Sequence, residues 1–159
     1  MISYQTSAPG APLIEVESET PEPQGTEVLI KTIACGVCHS DIHMHEGVFD
    51  LGGGKQLEVG REGMVLGHEI FGEVIALGQD AQDAEIGDRR VVFPWIGCGE
   101  CAACKRGDEQ LCTPGCALGI AHAGGFSDHV MVPHSRYLFD KGDVMDSLAA
   151  TYACSGLTA

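Results

Sequence analysis

Ala34-Cys35-Gly36-Val37-Cys38-His39-Ser40-Asp41-Ile42-His43 places two thiols, two imidazoles, a hydroxyl and a carboxylate within ten consecutive residues. Further metal-ligand types stand far away in the chain, with His68 in Gly67-His68-Glu69 and Cys154 close to the last residue. A catalytic zinc is held by three protein ligands and keeps one position open. The sequence therefore predicts a metal site whose ligands come from three separate segments of the chain.

The segments around this stretch predict β-strands. Residues 13–19 alternate apolar and acidic side chains, and residues 27–34 (EVLIKTIA) are alternating and rich in β-branched residues. Residues 67–78 (GHEIFGEVIALG) continue this pattern, which places His68 at the beginning of a strand, and residues 90–93 predict another strand. The 22 glycines and few aromatic residues favour many turns and short strands.

Two segments between these strands predict other structures. Gly36 allows a sharp change of direction, and Ser40 or Asp41 would cap a short helix. The run GGGK at 52–55 suggests a phosphate-binding loop. That motif needs a glycine at position 49 and a serine or threonine at position 56, where the chain has Phe and Gln. Residues 48–64 therefore predict a surface hairpin or loop.

Length and charge limit the function classes. The chain has 159 residues and 44% apolar content, enough for about one domain with its own core. Its net charge of −14 repels nucleic-acid backbones, so no nucleic-acid partner is expected. The sequence has neither an apolar run of about 18 residues nor a signal-peptide pattern. We therefore expect no membrane partner and a cytoplasmic location.

A second thiol cluster follows the pattern Cys98-x2-Cys101-x2-Cys104-x7-Cys112. Four thiolates in one short loop match a closed tetrahedral zinc site, whereas the ferredoxin pattern for an iron–sulfur cluster has a last gap of three residues and a following proline. Without an export signal, the eight cysteines are expected to be metal ligands or free thiols rather than disulfides. The CxxC pair at 35–38 could also be a redox pair, but the sequence around it does not show a thioredoxin-like pattern.

In this order, the two clusters resemble the zinc-dependent alcohol dehydrogenases of the medium-chain dehydrogenase/reductase superfamily, specifically their GroES-like catalytic domain. The matching motifs are GVCHSD at 36–41, GHE at 67–69, GDR at 87–89, the cysteine loop at 98–112, GGF at 124–126 and CSGLT at 154–158. The resemblance implies a mostly β fold with a few short helices, built as a partly open barrel with a structural-zinc loop.

The resemblance also implies two ligand sets. The catalytic zinc would be held by Cys38, His68 and Cys154. The structural zinc would be held by Cys98, Cys101, Cys104 and Cys112. Spacing alone does not distinguish Cys38 from Cys35, and the family pattern selects Cys38. The remaining cysteines, Cys35 and Cys116, are expected to be packing or spare thiols.

Roles around the catalytic zinc are implied in the same way. Glu69 would lie beside the metal, and Asp41 would hydrogen-bond the zinc-bound histidine. Ser40 and His43 would form a proton relay. Two further residues would contact the cofactor, namely His39 at the pyrophosphate and Thr158 near the nicotinamide. Trp95 resembles a substrate-pocket aromatic residue, and a core position is equally compatible with its sequence context.

The implied activity is hydride transfer between an alcohol and NAD or NADP, with zinc as Lewis acid and small alcohols, aldehydes or ketones as substrates. Residues 1–150 would form the N-terminal portion of the catalytic domain, and residues 151–159 would begin the helix to a cofactor domain. The Gly-x-Gly-x-x-Gly turn of a Rossmann domain is absent from the sequence, so we expect this chain alone to be inactive. The complete enzyme is expected to be a homo-oligomer. The alternative is a non-catalytic, zinc-binding GroES-like module.

Overall fold

The computed structural model describes residues 1–113 and 115–159 and is mostly β. The strands described are β1 (Ile2–Gln5), β2 (Ile14–Glu17), β3 (Val28–Gly36), β4 (Val48–Gly52), β5 (Lys55–Glu58), β6 (Glu69–Leu77), β7 (Arg89–Val92), β8 (His129–Val132) and β9 (Leu138–Phe139). The helices are α1 (His39–Glu46), α2 (Ala102–Lys105), α3 (Asp146–Ala149) and α4 (Ser155–Thr158). Short 3-10 turns occupy Glu109–Leu111, Ser135–Tyr137 and Ala150–Ala153.

The central sheet is antiparallel, with strand order β8-β3-β6-β7-β9, and β1-β2 and β4-β5 form two small separate hairpins. Register shifts interrupt the β3–β6 pairing after Leu29 and after Thr32. Such bulges increase the local bend and twist of a sheet. Within the described part of the chain, the five strands form an open sheet and do not close into a barrel. The expected mostly β, partly open architecture is confirmed.

Both faces of the β6 strand are buried at its beginning. Ile70 and Phe71 are both 0% exposed, and because successive strand residues point to opposite faces, they enter two different cores. Ile70 packs among the aliphatic side chains of β3, β7 and β8. Phe71 packs against Ala149, Ala150 and Ala153 of the helical segment near the end of the chain. This second core attaches the segment that carries Cys154 to the sheet.

Most sequence-based element predictions are confirmed, with one correction. Residues 48–64 contain the predicted surface hairpin, formed by β4 and β5. The predicted short helix is present, but its N-cap is Cys38 instead of Ser40 or Asp41. Asp41 stabilises the helix start from inside the first turn, where its carboxylate accepts a hydrogen bond from the Cys38 backbone N–H at 2.9 Å. The capping group therefore comes from a residue three positions further along.

None of the helices in the described ranges is both long enough and apolar enough to span a membrane.

Candidate metal centres

Three distant segments bring two thiols and one imidazole together. Cys38 follows β3, His68 precedes β6, and Cys154 lies between the last 3-10 turn and α4. Gly36 at the end of β3 pairs with Glu69 at the start of β6, which sets the first two segments side by side. One ligand atom from each of the three residues lies within 4.8 Å of the others, and the two sulfurs are 3.8 Å apart.

The imidazole of His68 is held in one orientation. Its Nδ1 lies 3.1 Å from Asp41 Oδ1, and both side chains are almost fully buried. The same carboxylate accepts hydrogen bonds from the backbone N–H groups of Gly67 and Cys38, so it is fixed itself. The Nδ1–H therefore donates to Asp41 and leaves the Nε2 lone pair free, the tautomer that binds metals.

The second ring nitrogen lacks a hydrogen-bond partner among residues 1–113 and 115–159. His68 Nε2 is buried, and nothing in the described residues bonds to it. A buried polar atom without a partner costs roughly 1–3 kcal/mol, so such an atom calls for a ligand. An imidazole nitrogen and two soft thiolate sulfurs at this separation are a donor set that zinc accepts. The residues present therefore fit a zinc ion.

The protonation of the two thiols is unequal in the protein environment. Burial opposes ionisation of Cys38, but the Ser40 backbone N–H and the His68 ring lower its pKa. Burial and the neighbouring Cys38 raise the pKa of Cys154 to about 12. Burial would lower the pKa of His68, yet the Asp41 carboxylate and Cys38 raise it. One thiol thus carries a proton that a metal ion would displace on binding.

Replacing Asp41 with asparagine is expected to weaken metal retention at the Cys38–His68–Cys154 cluster by about 10–100-fold. An amide has one acceptor oxygen where the carboxylate has two. Either the Cys38 N–H, which is bonded to Oδ2, or the Gly67 N–H together with His68 Nδ1–H, which share Oδ1, therefore loses its acceptor. Competitive chelation would measure the affinity of each metal. The matched control is Asp50→Asn in the exposed β4–β5 hairpin, for which no change is expected. Equal loss of both metals in Asp41→Asn would contradict a local role.

The four-cysteine loop forms a second cluster. Its four sulfurs lie within 4.8 Å of one another, with separations of 3.4 Å for Cys101–Cys104 and 3.9 Å for both Cys98–Cys104 and Cys101–Cys112. A tetrahedron with Zn–S bonds of about 2.3 Å has sulfur–sulfur edges of about 3.8 Å. The cluster therefore has nearly the size of a closed zinc site.

Backbone N–H groups of the loop point at these sulfurs. The N–H groups of Cys98, Cys101 and Cys104 donate to the sulfurs of Cys112, Cys98 and Cys101, respectively, at 3.3–3.5 Å. The bond from Cys104 N–H is the largest of the effects that lower the pKa of Cys101 to about 6. Hydrogen bonds to a thiolate favour its charged form, which is the form that binds metal.

Glu109 attaches this loop to the 3-10 turn Ser135–Tyr137 that follows β8, a role that the sequence analysis missed. Its carboxylate accepts hydrogen bonds from the Gly97 N–H at 3.2 Å and from the Tyr137 hydroxyl, and it forms an ion pair with Arg136 at 2.9 Å. The Tyr137 hydroxyl is the main cause of a lowered pKa of Glu109. Glu109 is one of two acidic residues between Cys104 and Cys112, and its partners Arg136 and Tyr137 come from a distant segment, so the sequence did not single it out.

The residues predicted for the proton relay lie on α1. Ser40 is half-buried in the first turn, and the His43 ring packs one turn later between His39 (4.4 Å between ring centroids) and Phe49 (4.7 Å). Within the described ranges, no hydrogen bond joins Ser40 to His43. Phe49, which the sequence analysis did not select, thus covers one face of His43.

The remaining predicted residues lie near Cys154. Glu69 is 1% exposed, and its Oε1 accepts a hydrogen bond from the Ser155 N–H at 2.8 Å. Thr158 is exposed, and its hydroxyl donates to the Cys154 carbonyl at 2.8 Å. Trp95 is half-buried, with its ring centroid 5.7 Å from that of His68.

A mostly β domain that carries a Cys2His cluster assembled from three segments and a separate four-cysteine loop has the architecture of a zinc-dependent dehydrogenase catalytic domain. Residues 24–143 match the alcohol dehydrogenase GroES-like domain, and the chain belongs to this family. The family assignment predicted from the sequence motifs is confirmed.

Proteins similar to this chain include alcohol dehydrogenases of greater length. An NAD-dependent alcohol dehydrogenase of Sulfurisphaera tokodaii is 40% identical over 156 residues, which cover 94% of this chain and 43% of that enzyme. A cobalt- and zinc-bound thermostable alcohol dehydrogenase of Pyrobaculum aerophilum superposes with a TM-score of 0.78 at 29% identity, covering 99% of this chain and 46% of that one.

A zinc-binding dehydrogenase of Sinorhizobium meliloti bound to NADP superposes with a TM-score of 0.76 at 29% identity, covering 94% of this chain and 41% of that one. The chain thus spans less than half the length of these relatives.

Proposed function

We propose that this chain forms the zinc-binding part of an oxidoreductase that transfers hydride between an alcohol and NAD or NADP. The observation that carries the proposal is the buried, unpartnered Nε2 of His68 beside the thiols of Cys38 and Cys154. This donor set provides three protein ligands and leaves a fourth position for substrate. The names and bound cofactors of the relatives support the same activity.

In the proposal, the two clusters have different roles. A zinc ion at Cys38, His68 and Cys154 would polarise the oxygen of a bound alcohol as a Lewis acid. The loop of Cys98, Cys101, Cys104 and Cys112 would hold a structural zinc, because four thiolates leave no position open. Asp41 holds the His68 ring in the metal-binding tautomer through the hydrogen bond to Nδ1. Glu69 lies at the border of the first cluster.

Proton release would use the residues of α1. Ser40 follows directly after the cysteine-histidine pair and is half-buried, so its hydroxyl can take a proton from an alcohol and pass it outward. His43 is the proposed exit group, since an imidazole exchanges protons near neutral pH. The His43 ring packs against the rings of His39 and Phe49, and these contacts restrict its orientation.

The cofactor would be shared with a nicotinamide-binding domain. His39 is exposed at the beginning of α1 and is proposed to meet the pyrophosphate, and Thr158 is proposed to lie near the nicotinamide. In this division, residues 1–150 belong to the catalytic domain and residues 151–159 begin the connection to the cofactor domain. The eight free thiols are compatible with a reducing compartment such as the cytoplasm. Homo-oligomerisation stays a prediction.

Metal analysis tests the proposal directly. We expect two zinc ions per chain, of which one exchanges with added cobalt and the other resists, because one site keeps an open position and the other is closed. Elemental analysis before and after cobalt exchange would measure both. A Cys38→Ser variant should lose the exchangeable metal only, whereas Cys35→Ser, the matched control, should keep both. One zinc per chain, or iron in place of zinc, would contradict the proposal.

Replacing His43 with alanine is expected to slow alcohol oxidation mainly near and below neutral pH in an enzyme that includes the cofactor domain. Proton exit then depends on solvent, and hydroxide is scarce at low pH. Steady-state rates across a pH series would measure the effect, and added imidazole should restore part of the rate. His45→Ala is the matched control, because His45 lies on the same helix with its ring bonded to the Ala11 carbonyl. An unchanged pH profile would remove His43 from the relay.

The non-catalytic module is the second candidate function. In such a module, the metal held by Cys38, His68 and Cys154 would have no accessible fourth coordination position. If the exchangeable metal binds no added imidazole or azide, this alternative replaces the proposed dehydrogenase activity.

A further inference from the structure

The peptide groups before and after Cys154 are each hydrogen-bonded to a side chain from the region of the central sheet. On one side, the Trp95 indole N–H donates to the Ala153 carbonyl at 3.2 Å. On the other side, the Ser155 N–H donates to Glu69 Oε1 at 2.8 Å. Glu69 is the first residue of β6, and Trp95 lies in the segment that follows β7, so one bond comes from a strand of the central sheet and the other from the segment after a strand.

The side chain of Glu69 is buried and fits closely against the backbone of Gly36. The residue is 1% exposed, and Gly36 lies opposite it in the β3–β6 pairing. A Cβ atom added at Gly36 would lie 2.2 Å from Glu69 Oε2 and 3.1 Å from its Cβ. Any side chain at position 36 would therefore push the carboxylate away from the Ser155 N–H. Burial of a carboxylate is costly unless it is hydrogen-bonded, so the bond is part of what keeps Glu69 in place.

The rest of the segment before Cys154 is attached by small side chains and by ion pairs of Asp146 with Arg89 and Lys141. It packs on the sheet mainly through the small side chains of Ala149, Ala150 and Ala153, whereas Tyr152 and Leu157 are exposed. The helix α4 has only four residues, so it is too short to be stable by itself. The hydrogen bonds with Trp95 and Glu69 therefore add restraints on the two peptide groups that flank the Cys154 sulfur.

We propose that Glu69 and Trp95 are positioning residues that hold the Cys154 sulfur within reach of Cys38 and His68 by fixing the peptide groups before and after it. In this role Glu69 acts as a hydrogen-bond acceptor for Ser155, and its negative charge is not what the site requires. The inference rests on the proposed metal site at Cys38, His68 and Cys154, and it adds two residues that control its affinity.

Cobalt titration of the chain with zinc kept in the four-cysteine loop tests this inference. The absorption bands of cobalt bound to thiolates report its affinity and the geometry of its ligands. Glu69→Ala is expected to weaken cobalt binding by about 10–100-fold, as outer partners of metal ligands typically do. Glu69→Gln should bind like the unchanged chain, because its amide oxygen still accepts from Ser155. Trp95→Phe, which keeps a ring but lacks the N–H, should also weaken binding.

Two further variants separate positioning from general damage. Gly36→Ala should reproduce the effect of Glu69→Ala, because the added methyl group displaces the carboxylate. Glu73→Ala, on the same strand, is the matched control and should bind cobalt normally. In every variant, zinc retained in the four-cysteine loop and an unchanged far-ultraviolet circular dichroism spectrum would confirm that the fold is intact.

The outcomes distinguish this inference from the proposed function. If the unchanged chain takes up no cobalt at the first cluster, the proposed function fails. If it binds cobalt and both Glu69→Ala and Trp95→Phe bind it equally tightly, the positioning role is wrong. If Glu69→Gln weakens binding as much as Glu69→Ala, the carboxylate acts through its charge, and the hydrogen-bond role is overturned.

Discussion

Replacing Cys112 with serine is expected to release the metal from the four-cysteine loop and to lower the melting temperature sharply. Binding of a structural zinc is worth on the order of 10 kcal/mol and is coupled to folding of the segment that holds it. The loop has only one helix of four residues and one short 3-10 turn, and none of the residues of these two elements is buried. It therefore has no apolar core of its own to replace the metal. Zinc analysis and thermal unfolding would measure both effects.

The control for this variant is Cys116→Ser. Cys116 is a half-buried cysteine close in sequence to Cys112 but outside the four-sulfur cluster, so its replacement should leave the zinc content unchanged. The first cluster should still exchange zinc for cobalt in the folded fraction of Cys112→Ser. A Cys112→Ser protein with both metals and an unchanged melting temperature would contradict the structural role of the loop.

Truncating Phe71 to alanine is expected to lower the free energy of unfolding by about 3–5 kcal/mol. Phe71 is 0% exposed and fills the core between the sheet and the alanines that precede Cys154. The cavity would loosen these alanines, so affinity at the first cluster should fall together with stability. Chemical denaturation would give the stability, and cobalt titration of the folded protein would give the affinity.

Phe139→Ala is the matched control because Phe139 is 52% exposed on the edge strand β9. A surface substitution of this kind normally changes stability by about 0.5 kcal/mol or less. If Phe71→Ala destabilised the protein no more than Phe139→Ala, the second core would not hold the Cys154 segment. A loss of stability without any change in cobalt affinity would show that the segment stays in place through its hydrogen bonds alone.

The strands were predictable because their signal is local. Alternation over residues 27–34 and 67–78 requires only that neighbouring side chains point to opposite faces, and the structure has β3 and β6 there. The helix cap was not predicted correctly. A serine or aspartate is the usual N-cap, but the Asp41 carboxylate also receives the Gly67 N–H from a distant segment. That long-range bond favours Asp41 inside the first turn.

The sequence by itself determined the family, the mostly β fold and the two sets of metal-ligand types, because motif order, alternation and cysteine spacing are properties of neighbouring residues. Cysteine spacing did not distinguish the thiols at 35 and 38, and the family resemblance selected Cys38 without giving a physical reason. Only the tertiary structure provides that reason. Burial raises the pKa of Cys35 to about 12, and its sulfur lies where a side chain at Gly67 or Gly125 would be, whereas the Cys38 sulfur is 3.8 Å from that of Cys154. The direction of a side chain depends on strand pairing and bulges, and these are set by residues far apart in the sequence.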